Sequence, residues 1–121
     1  MPGRLTTHVL DTTHGLPAAH ITIQLWRIDT TTDTGRVLLK TVSTNDKGQT
    51  DEPLLAAEEM ATGVYELLFA VGTYFARQLI TVSLPPFLDE VPVRFGIADA
   101  EAHYHVPLLI SPWAYSIYRG S

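Results

Sequence analysis

The sequence contains no cysteine among its 121 residues. This absence excludes a disulfide framework and a thiol nucleophile, although it does not determine the compartment. No apolar stretch approaches the roughly 20 residues that a membrane-spanning helix needs. Met1-Pro2-Gly3-Arg4 leads directly into a strand pattern without the apolar segment of a secretory signal, so we expect a cytoplasmic protein.

Positive charge is also scarce. The chain has 8 Lys and Arg against 13 Asp and Glu, which gives a formal net charge of −5. Its basic residues are scattered, whereas a nucleic-acid-binding surface concentrates them. Hydrophobic residues make up 45% of the chain and charged residues 17%, as in a globular protein. We therefore treat residues 1–121 as a single domain and expect neither nucleic acid nor a membrane as a partner.

Short β-rich runs separated by turns are the main local pattern. They predict seven or eight strands, over residues 4–11, 20–27, 37–42, 49–55, 63–71, 91–97, 103–111 and 114–118. Thr32-Asp33-Thr34-Gly35 and Asn45-Asp46-Lys47-Gly48 have the composition of turns. The run Thr73–Leu79 is the best candidate for a short helix. The pattern favours an all-β sandwich with one short helix.

Two histidines lie two residues apart near the end of the chain. His103 and His105 should leave the same face of a strand, while Tyr104, Val106, Leu108 and Ile110 form its apolar face. Two exposed histidines on an edge strand would give this pattern. So would a site in which a neutral imidazole accepts a proton from water near neutral pH.

A third histidine, His8, lies on the more polar face of the first predicted strand. It can join the other two only if the first and penultimate strands are neighbours. His8, His103 and His105 could then also hold zinc, with an open position for water. Neither an HExxH motif nor a cysteine pair supports such a site, so we expect no metal.

Three motifs together resemble the 5-hydroxyisourate hydrolases, the enzymatic members of the transthyretin-like family. They are Thr6-Thr7-His8-Val9-Leu10-Asp11, His103-Tyr104-His105-Val106-Pro107 and Tyr118-Arg119-Gly120-Ser121. The resemblance extends from about Arg4 to Ser121, nearly the whole chain. It implies a transthyretin-like β-sandwich of two four-stranded sheets with one short helix. It also implies a homotetramer with sites at the interface between two dimers.

The activity implied by the resemblance is hydrolysis of 5-hydroxyisourate in urate degradation. The product would be 2-oxo-4-hydroxy-4-carboxy-5-ureidoimidazoline, an intermediate on the path to allantoin. His105 would activate water, and His8 would assist proton transfer and stabilise developing charge. No cofactor is implied.

The resemblance assigns the C-terminal residues to substrate binding. Arg119 would offer planar, bidentate donors to the urate-like ring. Tyr118 would offer a phenol, and Gly120 would allow close approach of the backbone. The carboxylate or hydroxyl of Ser121 would orient a partner.

Position 49 departs from the hydrolase pattern. The hydrolases typically have Asp-Gly-Arg after the second turn, with an arginine that takes part in substrate binding, whereas this chain has Asp46-Lys47-Gly48-Gln49. Glutamine keeps hydrogen-bond donors but lacks the charged fork of a guanidinium. Two alternatives therefore stand beside the hydrolase: a homologue with weakened or altered activity, and a non-catalytic carrier of small ligands similar to transthyretin.

Overall fold

Two four-stranded sheets make up the computed structural model, which describes residues 3–78 and 83–120. The strands are β1 (Arg4–Asp11), β2 (Leu16–Pro17), β3 (Thr22–Ile28), β4 (Arg36–Ser43), β5 (Gly63–Phe69), β6 (Val91–Ile97), β7 (His103–Ile110) and β8 (Tyr115–Ile117). Helix α1 (Val71–Ala76) follows β5, and a 3₁₀ turn spans Ala57–Glu59. One sheet has the order β2-β1-β7-β8 and the other β4-β3-β5-β6.

The core lies between the two sheets because side chains alternate along each strand. Strands β1 and β7 each turn one apolar face inward, and β3 and β5 supply the facing layer. The buried residues of these four strands include Leu5, Val9, Leu108, Ile110, Ile23, Leu25, Leu67 and Phe69. The outward faces of β1 and β7 are thereby left free to carry polar side chains.

The predicted sandwich of two four-stranded sheets with one short helix is confirmed. Strands β1 and β6 have the predicted bounds, and most of the others differ by one or two residues. The helix begins at Val71, earlier than predicted, and ends at Ala76. Leu79, the last residue of the predicted helix, lies outside the described residues.

The predicted strand over residues 49–55 is wrong. This segment contacts β1 only through isolated bridges at its two ends, where Gln49 lies opposite His8 and Leu55 opposite Leu5. Between them Pro53 has no N–H to donate to a ladder, and the hydroxyl of Thr50 donates to the carbonyl of Glu52. The fourth strand of the first sheet, beside β1, is the short β2 and not residues 49–55.

No helix within residues 3–78 and 83–120 has the length and apolar character needed to cross a bilayer.

A buried carboxylate connects the first sheet to helix α1. Asp11, at the end of β1, accepts hydrogen bonds from the backbone N–H groups of Thr13 and His14 and from the Tyr74 hydroxyl at 2.8 Å. The His14 imidazole lies 2.6 Å from the same carboxylate. Burial raises the pKa of Asp11, but the hydrogen bonds from His14 and Tyr74 outweigh it and leave the pKa below its ordinary value of 3.8. Asp11 therefore stabilises the fold above that value, and this contribution is lost as the pH falls through the lower pKa of the folded state.

We expect Tyr74→Phe to lower the free energy of unfolding by about 1–2 kcal/mol at pH 7, because a buried carboxylate loses one of its donors. Denaturant unfolding at constant pH measures this change. Thr31→Val, which removes a hydroxyl donor from the surface carboxylate of Asp29, is the matched control and should change stability by no more than about 0.5 kcal/mol. Equal losses in the two variants would contradict the role assigned to the Asp11–Tyr74 hydrogen bond.

Candidate active site

The candidate site lies on the outward face of the first sheet, where β1 and β7 run parallel. Their register places Thr6 opposite His105 and His8 opposite Pro107. The condition for His8 to join His103 and His105 is met, because the first and penultimate strands are neighbours. β7 lies between β1 and β8, but its ladder with β8 covers only Leu108–Ile110, and beyond it His105 has a single bridge to Gly120.

The hydroxyl of Thr6 joins the two histidines of β7. Its Oγ1 lies 2.9 Å from Nε2 of His103 and 2.8 Å from Nδ1 of His105. The ring centroids of the two histidines are 6.2 Å apart. His103 is exposed, whereas His105 is half-buried. Since Nδ1 of His105 is bound to Thr6, Nε2 is the nitrogen available to a reacting molecule.

A groove of about 330 Å³ opens in front of these side chains. It is lined by Arg4, Thr6, Thr7, the segment 49–53, His103 and His105. Gln49 is part of this lining. It directly follows the turn that ends at Gly48, whose φ is +73°, and its backbone pairs with His8. A Cβ at Gly48 would come within 2.4 Å of the Val9 carbonyl oxygen, so no larger residue fits there.

His8 lies beside this groove without being among its lining residues. It is half-buried, and its backbone bridges to Gln49. Its imidazole lies close enough for its charge to lower the pKa of His105. The structure therefore brings His8 and His105 together on one face, as the resemblance implied.

Both histidines of β7 favour the neutral form. Burial lowers the pKa of His105, and the neighbouring His103 and His8 lower it further. Burial also lowers the pKa of His103, with an added contribution from the charge of Arg4. Around neutral pH His105 is thus an unprotonated imidazole, the form that accepts a proton from water.

The C-terminal segment rejoins β7 at the site. The Gly120 N–H donates to the His105 carbonyl at 2.8 Å. A Cβ on Gly120 would come within 2.7 Å of Cδ2 of His105 and 3.1 Å of Cγ of Pro107. Glycine is therefore required at this position for the backbone to lie against the catalytic candidate.

The other C-terminal candidates lie beside a second hollow, of about 370 Å³, which His105 also lines. The guanidinium of Arg119 lies 4.2 Å from the Tyr104 ring centroid and donates to the His103 carbonyl at 3.5 Å. Tyr118 is exposed in the same hollow. Ser121 lies outside the described residues. Substrate binding by these residues stays a prediction.

Sequence reasoning missed Thr6 and Arg4 as site residues. Both lie at i,i+2 spacing on the strand face that carries His8, so the same alternation that selected His8 could have selected them. The contact of Thr6 with two ring nitrogens could be known only from the register between β1 and β7.

The described residues contain no group of three or more His, Cys, Asp or Glu side chains placed to hold a metal ion. In this structure the rings of His103 and His105 are directed to the Thr6 hydroxyl. The three-histidine zinc site considered from the sequence is not assembled by these side chains.

Comparison with known proteins identifies the family. The model of the HIUase/Transthyretin family matches residues 5–120. The chain belongs to the HIUase/transthyretin family. It is 56% identical over 119 residues to a Mesorhizobium japonicum protein named 5-hydroxyisourate hydrolase, with 98% of this chain and 93% of that protein covered.

Two solved structures of this family have the same fold. The 5-hydroxyisourate hydrolase of Klebsiella pneumoniae matches with a TM-score of 0.78 and 31% identity, over 98% of this chain and 94% of that one. Transthyretin from Sparus aurata matches with a TM-score of 0.82 and 25% identity, over 97% of this chain and 96% of that one. The resemblance described from the sequence motifs is confirmed.

We expect Gly120→Ala to reduce turnover about 10- to 100-fold, because the added methyl group must displace the His105 ring from its position. The free energy of unfolding should change little, since Gly120 pairs with the sheet through a single bridge to His105. Gly35→Asn, in the turn between β3 and β4, is the control, because a Cβ there meets no atom within 4 Å and asparagine tolerates the φ of +76°. Full activity in Gly120→Ala would show that the position of the ring is not limiting.

Proposed function

We propose that this protein hydrolyses 5-hydroxyisourate, opening the oxidised urate ring by addition of water at a ring carbonyl. The observation that carries the proposal is the half-buried His105, held between Thr6 and Gly120 at the edge of a groove. The identity of the substrate comes from the relatives named 5-hydroxyisourate hydrolase, which match along nearly their whole length.

In the proposed reaction His105 is the general base. Water held in the groove gives a proton to Nε2 of His105 and attacks the ring carbonyl. A neutral imidazole suits this step because its lone pair is available at physiological pH. The lowered pKa of His105 keeps it in that form.

In this proposal His8 and Gln49 act on the charge that develops on the carbonyl oxygen. His8 lies beside His105, and its protonated form would stabilise the oxyanion. As the ring C–N bond breaks, the proton that His105 took from water passes to the departing nitrogen, directly or through His8, and both histidines regain their starting forms. Gln49 lines the groove and offers amide donors without a formal charge. We assign ring recognition to the C-terminal residues Tyr118, Arg119 and Gly120 with Ser121.

The alternatives predict different behaviour of the unmodified protein. A carrier would bind heterocycles without consuming them, and it would have no need of His8 and His105 beside a polar groove. A homologue weakened by Gln49 would hydrolyse 5-hydroxyisourate only slightly faster than its spontaneous decay. The assay is the loss of ultraviolet absorbance of freshly generated 5-hydroxyisourate, with the spontaneous rate subtracted.

We expect His105→Asn to fold normally and to lose about 10²- to 10⁴-fold in turnover, the usual contribution of general acid–base catalysis. In the unmodified enzyme kcat/KM should be high at neutral pH. It should fall on the acid side with a midpoint below 6.5, the ordinary value for histidine, because the pKa of His105 is lowered. The remaining activity of the variant should lack this acid limb.

His20→Asn is the matched control for this substitution. Its side chain is 69% exposed, away from the groove, and asparagine tolerates the φ of +61° at that position. Unchanged turnover in His105→Asn would assign the base to another group. Loss of activity on chelation, restored by zinc, would replace this mechanism with a metal-assisted one.

We further propose a homotetramer in which sites form where two dimers meet. Supporting this, large apolar side chains are exposed at both edges of the site-bearing sheet: Leu16 on β2, Trp113 just before β8, and Tyr115 and Ile117 on β8. An uncovered edge strand with apolar side chains favours association. Closed symmetric assembly would cover such surfaces in each copy.

Sedimentation equilibrium at micromolar concentration should therefore give the mass of four chains. Trp113→Glu should shift the distribution to smaller species, whereas Thr31→Glu, in an exposed turn of the other sheet, should not. A mass of one chain for the unmodified protein would contradict the proposal. The cytoplasmic location expected from the sequence stays a prediction.

A further inference from the structure

One hydroxyl group contacts a ring nitrogen of each histidine of β7. Thr6 Oγ1 lies within hydrogen-bond distance of Nε2 of His103 and Nδ1 of His105. A hydroxyl has one proton and two lone pairs, so it donates to at most one of these nitrogens. Both contacts can be hydrogen bonds only if at least one of the two ring nitrogens carries a proton.

Proton counting leaves two arrangements when both rings are neutral and Thr6 donates to one of them. In the first, Nδ1–H of His105 donates to Thr6, and the Thr6 hydroxyl donates to Nε2 of His103. In the second, Nε2–H of His103 donates to Thr6, and Thr6 donates to Nδ1 of His105. A neutral imidazole carries one proton, so the second arrangement places the proton of His105 on Nε2.

Only the first arrangement leaves Nε2 of His105 free to accept a proton from water. We infer that Thr6 is a positioning residue that holds His105 as the Nδ1–H tautomer, with His103 as the acceptor that completes the chain. The inference rests on the proposed function, because it is the role of His105 as a base that requires a free Nε2. It gives His103 a role that does not require contact with substrate.

The surroundings of the pair are consistent with this chain. Arg4 lies opposite His103 in the register, and its charge lowers the pKa of that histidine. The charges of His8 and His103 likewise lower the pKa of His105. These charged and titratable neighbours disfavour a second proton on either ring, so each ring is neutral and the two arrangements around the Thr6 hydroxyl are the ones to distinguish.

Nitrogen-15 NMR of the histidine side chains distinguishes the two tautomers directly. In the unmodified protein at pH 7.5 or so, where both rings are neutral, Nδ1 of His105 should give the signal of a protonated nitrogen and Nε2 that of an unprotonated one. Thr6→Val is nearly isosteric but removes the hydroxyl, and its His105 should contain a substantial population of the Nε2–H tautomer. Thr6→Ser keeps the hydroxyl and should retain the original spectrum.

Kinetics provide the second readout. Thr6→Val should lower kcat roughly tenfold, the size expected for one net hydrogen bond, while KM stays within about twofold. Thr6→Ser should restore most of kcat. Thr12→Val is the matched control, since the Thr12 hydroxyl also binds β7, at the Ile110 carbonyl 3.0 Å away, outside the groove. It should have normal kcat.

An unprotonated Nδ1 on His105 in the unmodified protein would overturn the inference, and so would a normal kcat in Thr6→Val. Equal loss in folded Thr6→Ser and Thr6→Val would assign the effect to the methyl group and also overturn it. Failure of the proposed function is a separate result. The unmodified protein would then not accelerate the loss of 5-hydroxyisourate, whereas the NMR spectrum would still identify the tautomer.

Discussion

The parallel pairing of β1 with β7 is the constraint on which the rest of the site depends. Residue by residue it sets Arg4 against His103 and Asp11 against Ile110, between segments that are about a hundred positions apart in the chain. Because side chains alternate, a slip of one residue would turn His8 into the core and Val9 to the surface. Burial of Leu5 and Val9 therefore fixes the polar face as firmly as it fixes the core.

Much of this arrangement could be predicted from the sequence, because alternation is a local property. The polar face of β1 and the paired histidines of β7 follow from it, and so does the apolar face that includes Tyr104. The irregular path of residues 49–55 could not be predicted, since their composition suits a strand while Pro53 and a local hydrogen bond of Thr50 prevent pairing. The role of Thr6 depends on a register between distant strands, which no local pattern contains.

A proline in the middle of a sheet explains how the chain end reaches the site. Extending the pairing of Leu108 with Ile117 places Pro107 opposite Tyr118. Pro107 has no N–H to donate to Tyr118 across the ladder. The regular pairing of β8 therefore stops at Ile117, and beyond it Gly120 forms a single bridge with His105. The interruption leaves the side chains of Tyr118 and Arg119 on an exposed segment, while Gly120 is held against the imidazole.

Position 49 shows how a fold can fix the place of a residue without fixing its chemistry. The positive φ of Gly48 and its contact with the Val9 carbonyl determine the turn, so residue 49 must lie opposite His8. Glutamine there supplies neutral donors and acceptors. The permanent positive charge among the groove's lining residues therefore comes from Arg4 on β1, beside His103 rather than beside His8. The same lining includes the carboxylates of Asp51 and Glu52, so the groove is positive at the start of β1 and negative along the segment that follows Gln49.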